Sequence, residues 1–269
     1  MTFSEITQKL QSIHLTNSFE CRKDVDSLIK PIFCRLPWLH HPIKKGTIIS
    51  RCRKDAPNLE KESFGSPPSE KIIDIQRASI EHESVFYGSV GDNSIEDGDF
   101  IAMLEASQLH RSQLSYGEED ISVSHWVVVK DIDMALICHP NVYVEAIPNG
   151  MVNEMQKNYL RILPNYPIKE LVTEFDHFVE FIASQFAKIV KEENREQYLI
   201  SALFSHYALL ENENEPNENG LIYPSTQTNG RLGYNVALRP NVEKENLCFI
   251  EAKRHTLCKI NNEYLDKTF

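Results

Sequence analysis

Glu105 is a carboxylate set between apolar neighbours, Leu104 and Ala106, in the segment FIAMLEAS. An acid that faces a core needs a partner, and an arginine can serve. Three arginines are candidates. Arg51 and Arg53 end the run GTIISRCR at a spacing of two, which puts them on one face of a strand. Arg77 stands ten residues before Tyr87, which closes VFY. Ser225 follows Pro224 in IYPS, and Asn235 follows in GYN. Taken singly, each residue has an ordinary reading. A lone arginine is usually solvated or ion-paired, a strand tyrosine packs its ring, and a serine after proline makes a turn. Glu105 is the odder one, because its immediate neighbours are apolar.

Other chemistries find no motif. Ten histidines occur, but none shows HExxH spacing or a paired Cys/His pattern, so no metal site is expected. His40 and His41 are adjacent and point in different directions, and His177 reads as a helix-surface residue. There is no GxGxxG after a strand, no phosphate-binding GxxxxGK[ST] loop and no GxSxG elbow. The six cysteines, at 21, 34, 52, 138, 248 and 258, form no CxxC pair and read as free thiols of a reducing compartment.

The chain carries 39 acidic against 28 basic residues, a net charge of −11, which disfavours broad nucleic-acid binding through long-range repulsion. A small cationic pocket remains compatible with that balance. The densest basic run, Lys44, Lys45, Arg51, Arg53 and Lys54, reads by itself as a solvated surface. No apolar stretch has the length of a membrane span and no leader pattern opens the chain, so a cytoplasmic location is expected.

The elements that must hold these residues follow from periodicity. Phe3, Ile6, Leu10 and Ile13 predict a helix over 2–13 capped by Thr2 or Ser4, and a weaker helix is expected near 23–33. LPWLHHPIKKG reads as a connection. Strands are expected at GTIISRCR, ESVFYGSV, HWVVVKDI, MALICH, GLIYPS, YNVALRP, LCFIEAK and CKINNEY. A helix is expected over 99–110 with Asp99 near its cap, carrying Glu105. The clearest helix runs from about Ile168 to Val190, with Pro167 at its start and Leu171, Phe175, Phe178, Ile182 and Ile189 as its apolar stripe, followed by a helix over 196–210 and a loop at ENENEPNENG. The order of elements is α+β, with residues 1–46 as a helical N-terminal extension and 47–269 as the catalytic domain.

Two segments resemble a known family. IQRASIEHESVFYGS followed by FIAMLEAS is similar to the first half of a RES domain, with an Arg, a strand ending in Tyr and a helix bearing Glu; GLIYPSTQTNGRLGYNVAL is similar to its second half. The strand with Arg51 and Arg53 resembles the family's opening strand, so the similarity spans roughly Ile48 to Arg239. The usual Gly-Gly-Arg-Trp element is here Ile75-Gln76-Arg77-Ala78, and 143–218 is a longer, helical insertion. The resemblance implies an ADP-ribosyltransferase-like fold with a mixed central sheet and NAD as substrate. It implies a toxin-like enzyme that cleaves the nicotinamide–ribose bond by hydrolysis or phosphorolysis, with an antitoxin partner and room for a homo-oligomer. In those terms Glu105 faces the anomeric carbon, Arg77 and one of Arg51 or Arg53 hold the pyrophosphate, and Tyr87 packs on nicotinamide or ribose. Ser225 bonds the carboxamide or a ribose hydroxyl, and Asn235 braces its turn. The alternatives are transfer of ADP-ribose to a macromolecule, or an inactive interaction module built on the helix stripe.

Overall fold

The computed structural model describes residues 1–36, 38–111, 116–144, 146–148, 150–165, 169–209, 218–261 and 263–268. Its helices are α1 (Phe3–Ser12), α2 (Phe19–Ile29), α3 (Ile95–Ala106), the single turn α4 (Gln108–Arg111), α5 (Met151–Ile162), α6 (Val172–Phe186), α7 (Leu199–Leu209) and α8 (Pro240–Asn246). Its strands are β1 (His40–Ile43), β2 (Ile48–Arg53), β3 (Phe86–Gly91), β4 (Tyr116–Val128), β5 (Ile132–Leu136), β6 (Gly220–Pro224), β7 (Gly233–Leu238), β8 (Leu247–Ile260) and β9 (Glu263–Thr268). They form one nine-stranded sheet in the order β1-β5-β6-β7-β3-β2-β4-β8-β9. The sheet is mixed: β5 and β6 are parallel, and the other described pairs are antiparallel. The chain is therefore α+β, with helices on both faces.

Alternation along the strands divides two cores. Ala135, Ile137, Leu221, Tyr223 and Ala237 face one core with α1, α2, α6 and α7. Met134, Leu136, Ile222, Val236 and Leu238 face the other, with Phe86, Trp126 and the buried side of α5. Strands β6 and β7 are buried at every position, Asn235 of β7 included. The N-terminal helices share a core with α6, α7 and the sheet, and β1 is an edge strand of that sheet, so residues 1–46 pack into the body.

Thr2 caps α1 with a reciprocal bond to Glu5, as the sequence indicates. Other boundaries move. Helix α2 starts at Phe19, four residues before the expected start, because Ser18 caps it; Lys30–Arg35 then continues as a 3-10 turn holding Pro31. His40–Ile43, expected as connection, is a strand because it pairs with Ile132–Ala135. Helix α3 begins after the Ser94 cap, so Asp99 is interior and Leu109 falls in α4. Strand β4 begins at Tyr116, nine residues before the expected start, and the two expected terminal strands LCFIEAK and CKINNEY merge into the single strand β8 followed by β9. Pairing with β4 over its full length supplies the continuity that polar residues concealed.

Helices α5 and α8 carried no sequence reading of their own. Expected positions Pro167 and Ile168, and 211–217 of the acidic loop, lie outside the described residues. The α6 stripe is core: Phe175, Phe178 and Ile182 are buried, whereas Ile189 lies past the end of the helix and is exposed. Cys21, Cys52, Cys138, Cys248 and Cys258 are free thiols. Among the described residues no helix is long and apolar enough to cross a membrane.

Candidate functional site

Glu105 is set in place by the way α3 lies on the sheet. Gly91 and Gly233 are paired across β3 and β7. A Cβ on Gly91 would come within 2.3 Å of the Ser94 carbonyl oxygen and 2.5 Å of the Gly98 nitrogen. Gly233, at φ +146°, would bring a Cβ to 2.0 Å from the Val90 carbonyl oxygen. With no side chain at either position, the first turn of α3 rests directly on the strand ends. Two further ties hold the helix. Ser50 Oγ donates to Asp99 Oδ1 at 2.6 Å, and His125 Nε2 meets the same oxygen at 2.8 Å.

Burial works against charge on His125, but the hydrogen bond to Asp99 is the larger influence and, with the Asp99 and Glu251 charges, raises its pKa above 6.5. Lys253, the other charged group here, binds Glu251 at 2.6 Å. A histidine whose folded pKa is raised stabilises fully below its unfolded value and loses that contribution as pH rises through the folded value. Unfolding midpoints measured in denaturant are therefore expected to fall as pH climbs from 6.5 upward, and His125→Gln should flatten that slope. An unchanged slope in the variant would refute the tie.

At the C-terminal end of α3, Glu105 meets β7. Asn235 Nδ2 donates to Glu105 Oε1 at 2.8 Å, and Asn235 Oδ1 accepts from Ser89 Oγ at 2.8 Å. Ser225 Oγ reaches the same Glu105 oxygen at 3.5 Å. The carboxylate is thus oriented by a Ser89–Asn235 chain. Ser89 was missed in the sequence, although it follows Tyr87 at strand spacing and so shares its face.

In front of Glu105 lies a cleft of about 590 Å³, within the usual range of roughly 300–1,000 Å³ for ligand pockets. It opens where β2 and β3 part: the two strands are paired only at Ser50 and Ser89. Arg51 fills the gap. Its guanidinium stacks 4.7 Å from the centre of the Phe86 ring and donates from Nη1 to the Tyr87 carbonyl at 2.8 Å. The residue is 7% exposed, its Nε has no hydrogen-bond partner, and no carboxylate pairs with it among the described residues. Burial, and then the like charge of Arg53, pull its pKa down, against the raising charge of Glu243, which lies near without forming an ion pair. A buried cation in that condition is costly until an anion arrives.

Six of the seven sequence candidates line this cleft: Arg51, Arg53, Arg77, Tyr87, Glu105 and Asn235. Ser225 does not; it is fully buried behind Glu105, in the turn where its amide donates to the Gly233 carbonyl. Asn235 and Ser225 therefore exchange the places expected of them: the asparagine stands at the cleft wall and the serine behind. Arg77 Nη1 donates to the carbonyls of Phe186 and, at 3.0 Å, Lys188, and the guanidinium lies 4.9 Å from the centre of the Tyr198 ring. It latches the segment after α6 onto the site. The Tyr87 hydroxyl is bonded to the Ala78 amide and Ser79 Oγ, each at 3.1 Å, and burial pushes it up to about 12, so the phenol stays neutral and its ring is fixed.

The basic run divides. Lys44 pairs with Asp131 at the surface, whereas Arg51, Arg53 and Lys54 turn to the cleft. Lys71, Lys191, Arg195, Tyr198 and Tyr223 also line it and escaped the sequence reading. They come from separate loops and strands, and no local spacing marks them. The lining holds seven cations (Arg51, Arg53, Lys54, Lys71, Arg77, Lys191 and Arg195) against Asp55 and Glu105, in a chain of net charge −11. Such an inversion focuses anions into the cleft.

No protein-family model matches this chain, and no curated protein matches it. What the site can do rests on its geometry: a braced carboxylate beneath a cleft whose walls present guanidinium groups and three tyrosines.

Proposed function

We propose that this chain is an NAD-consuming enzyme of the RES type, which cleaves the bond between nicotinamide and ribose. The observation that carries the reading is the pairing, in one cleft, of Arg51, buried without a carboxylate partner, with Glu105, held in place by Asn235. Pyrophosphate would satisfy the first. The second suits a sugar whose anomeric carbon turns positive.

Nicotinamide leaves as a neutral base because it enters the reaction as a cation. The C1′–N bond breaks with its electron pair going to the ring nitrogen, and no general acid is needed. Positive charge develops across C1′ and the ribose oxygen, where Glu105 opposes it. Water or inorganic phosphate then forms the new C1′–O bond, and a proton from water passes to Glu105 or to solvent. Arg51 binds the pyrophosphate oxygens. Tyr87, with its hydroxyl anchored, offers its ring as a stacking wall. Arg77 and Ser225 act through other groups: Arg77 holds the segment carrying Lys191 and Arg195, and Ser225 helps orient Glu105. An ADP-ribosyltransferase-like fold and an antitoxin partner belong to the same reading, supported by the residues that resemble the family.

The test is nicotinamide release from NAD by purified protein, with and without phosphate. Release is expected, and stimulation by phosphate would mark phosphorolysis. Labelled NAD appearing on macromolecules instead of in free products would assign transfer. A flat trace under every condition would leave the cleft a binding site without this chemistry.

A further inference from the structure

Resting on the reading of the cleft as a dinucleotide site, we propose that the dinucleotide it prefers carries a third phosphate, a phosphomonoester on the adenosine ribose, held by Arg53 and Lys71. The charge balance of the cleft leads there. Lys54 is matched by Glu119 at 3.4 Å, and Arg195 by Asp74 at 3.3 Å. Arg51, Arg53, Lys71 and Lys191 have no carboxylate ion pair among the described residues. The carboxylates of the lining are Glu105, whose charge acts on Arg77, and Asp55; beside the lining, Glu243 acts on Arg51, so the surplus rests on Arg53, Lys71 and Lys191.

A nicotinamide dinucleotide brings two pyrophosphate charges and one positive ring. Its net charge of about −1 is small beside that surplus, whereas a phosphomonoester adds up to about two negative charges and three acceptor oxygens.

Placement favours Arg53 and Lys71 for the extra group. Arg53 lies two residues beyond Arg51 on the same strand, about 6–7 Å further along. Its Nη2 donates to the Gly65 carbonyl at 3.0 Å. Gly65 lies in the loop that also carries Lys71, in the turn Ser69–Lys71. Pro67 and Ile72 of this loop line the cleft as well. Both residues line the cleft, Arg53 half-buried on its strand and Lys71 exposed on the loop whose Gly65 the arginine grips. A planar fork beside a point charge is the pairing that commonly receives a sugar phosphate.

The experiment titrates the full chain with NAD, with NADP, and with NAD in the presence of inorganic phosphate. Glu105→Gln protein is used so that the ligands survive. NADP is expected to bind about tenfold more tightly than NAD at low salt, a preference that shrinks toward unity in Lys71→Ala and in Arg53→Gln. Equal affinities for NAD and NADP would overturn the third phosphate and leave the dinucleotide reading standing. Binding of neither would overturn both. If free phosphate tightened NAD as much as the covalent group does, the rim would hold a separate phosphate and the proposal would fail. Loss of NADP preference in only one variant would assign the group to that residue, and retention in both would refute the assignment.

Discussion

Glu105→Gln should lower nicotinamide release by about 10²–10³-fold, the scale seen when one electrostatic contact to a transition state is removed. The substitution keeps shape and the amide oxygen, so Asn235 Nδ2 can still donate to it as it does now at 2.8 Å. Only the negative charge is lost. Affinity for the dinucleotide should change much less than the rate, because in the proposed reaction positive charge moves from the nicotinamide ring onto C1′ and the ribose oxygen only in the transition state. Single-turnover rates and a binding titration on the same preparation separate the two quantities. Wild-type turnover in this variant would remove Glu105 from the chemistry. A parallel fall in affinity and rate would make it a binding group instead.

Arg51→Met should show the opposite division, with affinity falling about 10- to 100-fold while the folded state survives. A charged hydrogen bond to phosphate contributes roughly 1.5–3 kcal/mol, which sets that range. Stability is the more informative half. Removing one member of a buried ion pair usually costs about 3–5 kcal/mol, because the other charge is stranded. Arg51 has no such partner in the described structure: it donates to the Tyr87 carbonyl and stacks on Phe86. Loss of its donor to that carbonyl costs about 1–3 kcal/mol. Relief of a desolvated charge can return about 1–4 kcal/mol. The two roughly offset, so the ligand-free Tm should move by only a few degrees, and stabilisation by added dinucleotide should shrink. A collapse of Tm together with unchanged affinity would make Arg51 a structural residue.

The elements that hold the site were legible to different degrees. Strands β5, β6 and β7 announce themselves because strands buried on both faces are mostly apolar, interrupted here only by Asp133 in β5 and Asn235 in β7. The α6 helix is visible from Phe175, Phe178 and Ile182, whose spacing matches one buried face. Strand β1 and the first half of β4 were hidden, since His40–Ile43 and Tyr116–Ser124 owe their strand state to partners distant in the chain. The start of α3 went to Ser94 because a serine that accepts from the Asp97 amide caps better than an interior aspartate.

For the site, residue types and local spacing together with the family resemblance marked Arg51, Arg53, Arg77, Tyr87, Glu105 and Asn235, which the fold gathers into one cleft. Strand alternation and helix turn are local, and a short stretch of chain states them. Whether a side chain stands at the wall or behind it is not local: the parting of β2 from β3 and the packing of α3 on Gly91 and Gly233 put Asn235 in front, Ser225 behind and Arg51 in the gap. Lys71 came to the cleft from one segment, and Lys191 with Arg195 from another more than a hundred residues further along the chain. Their convergence is a property of packed surfaces in three dimensions, and so only the tertiary structure decided it.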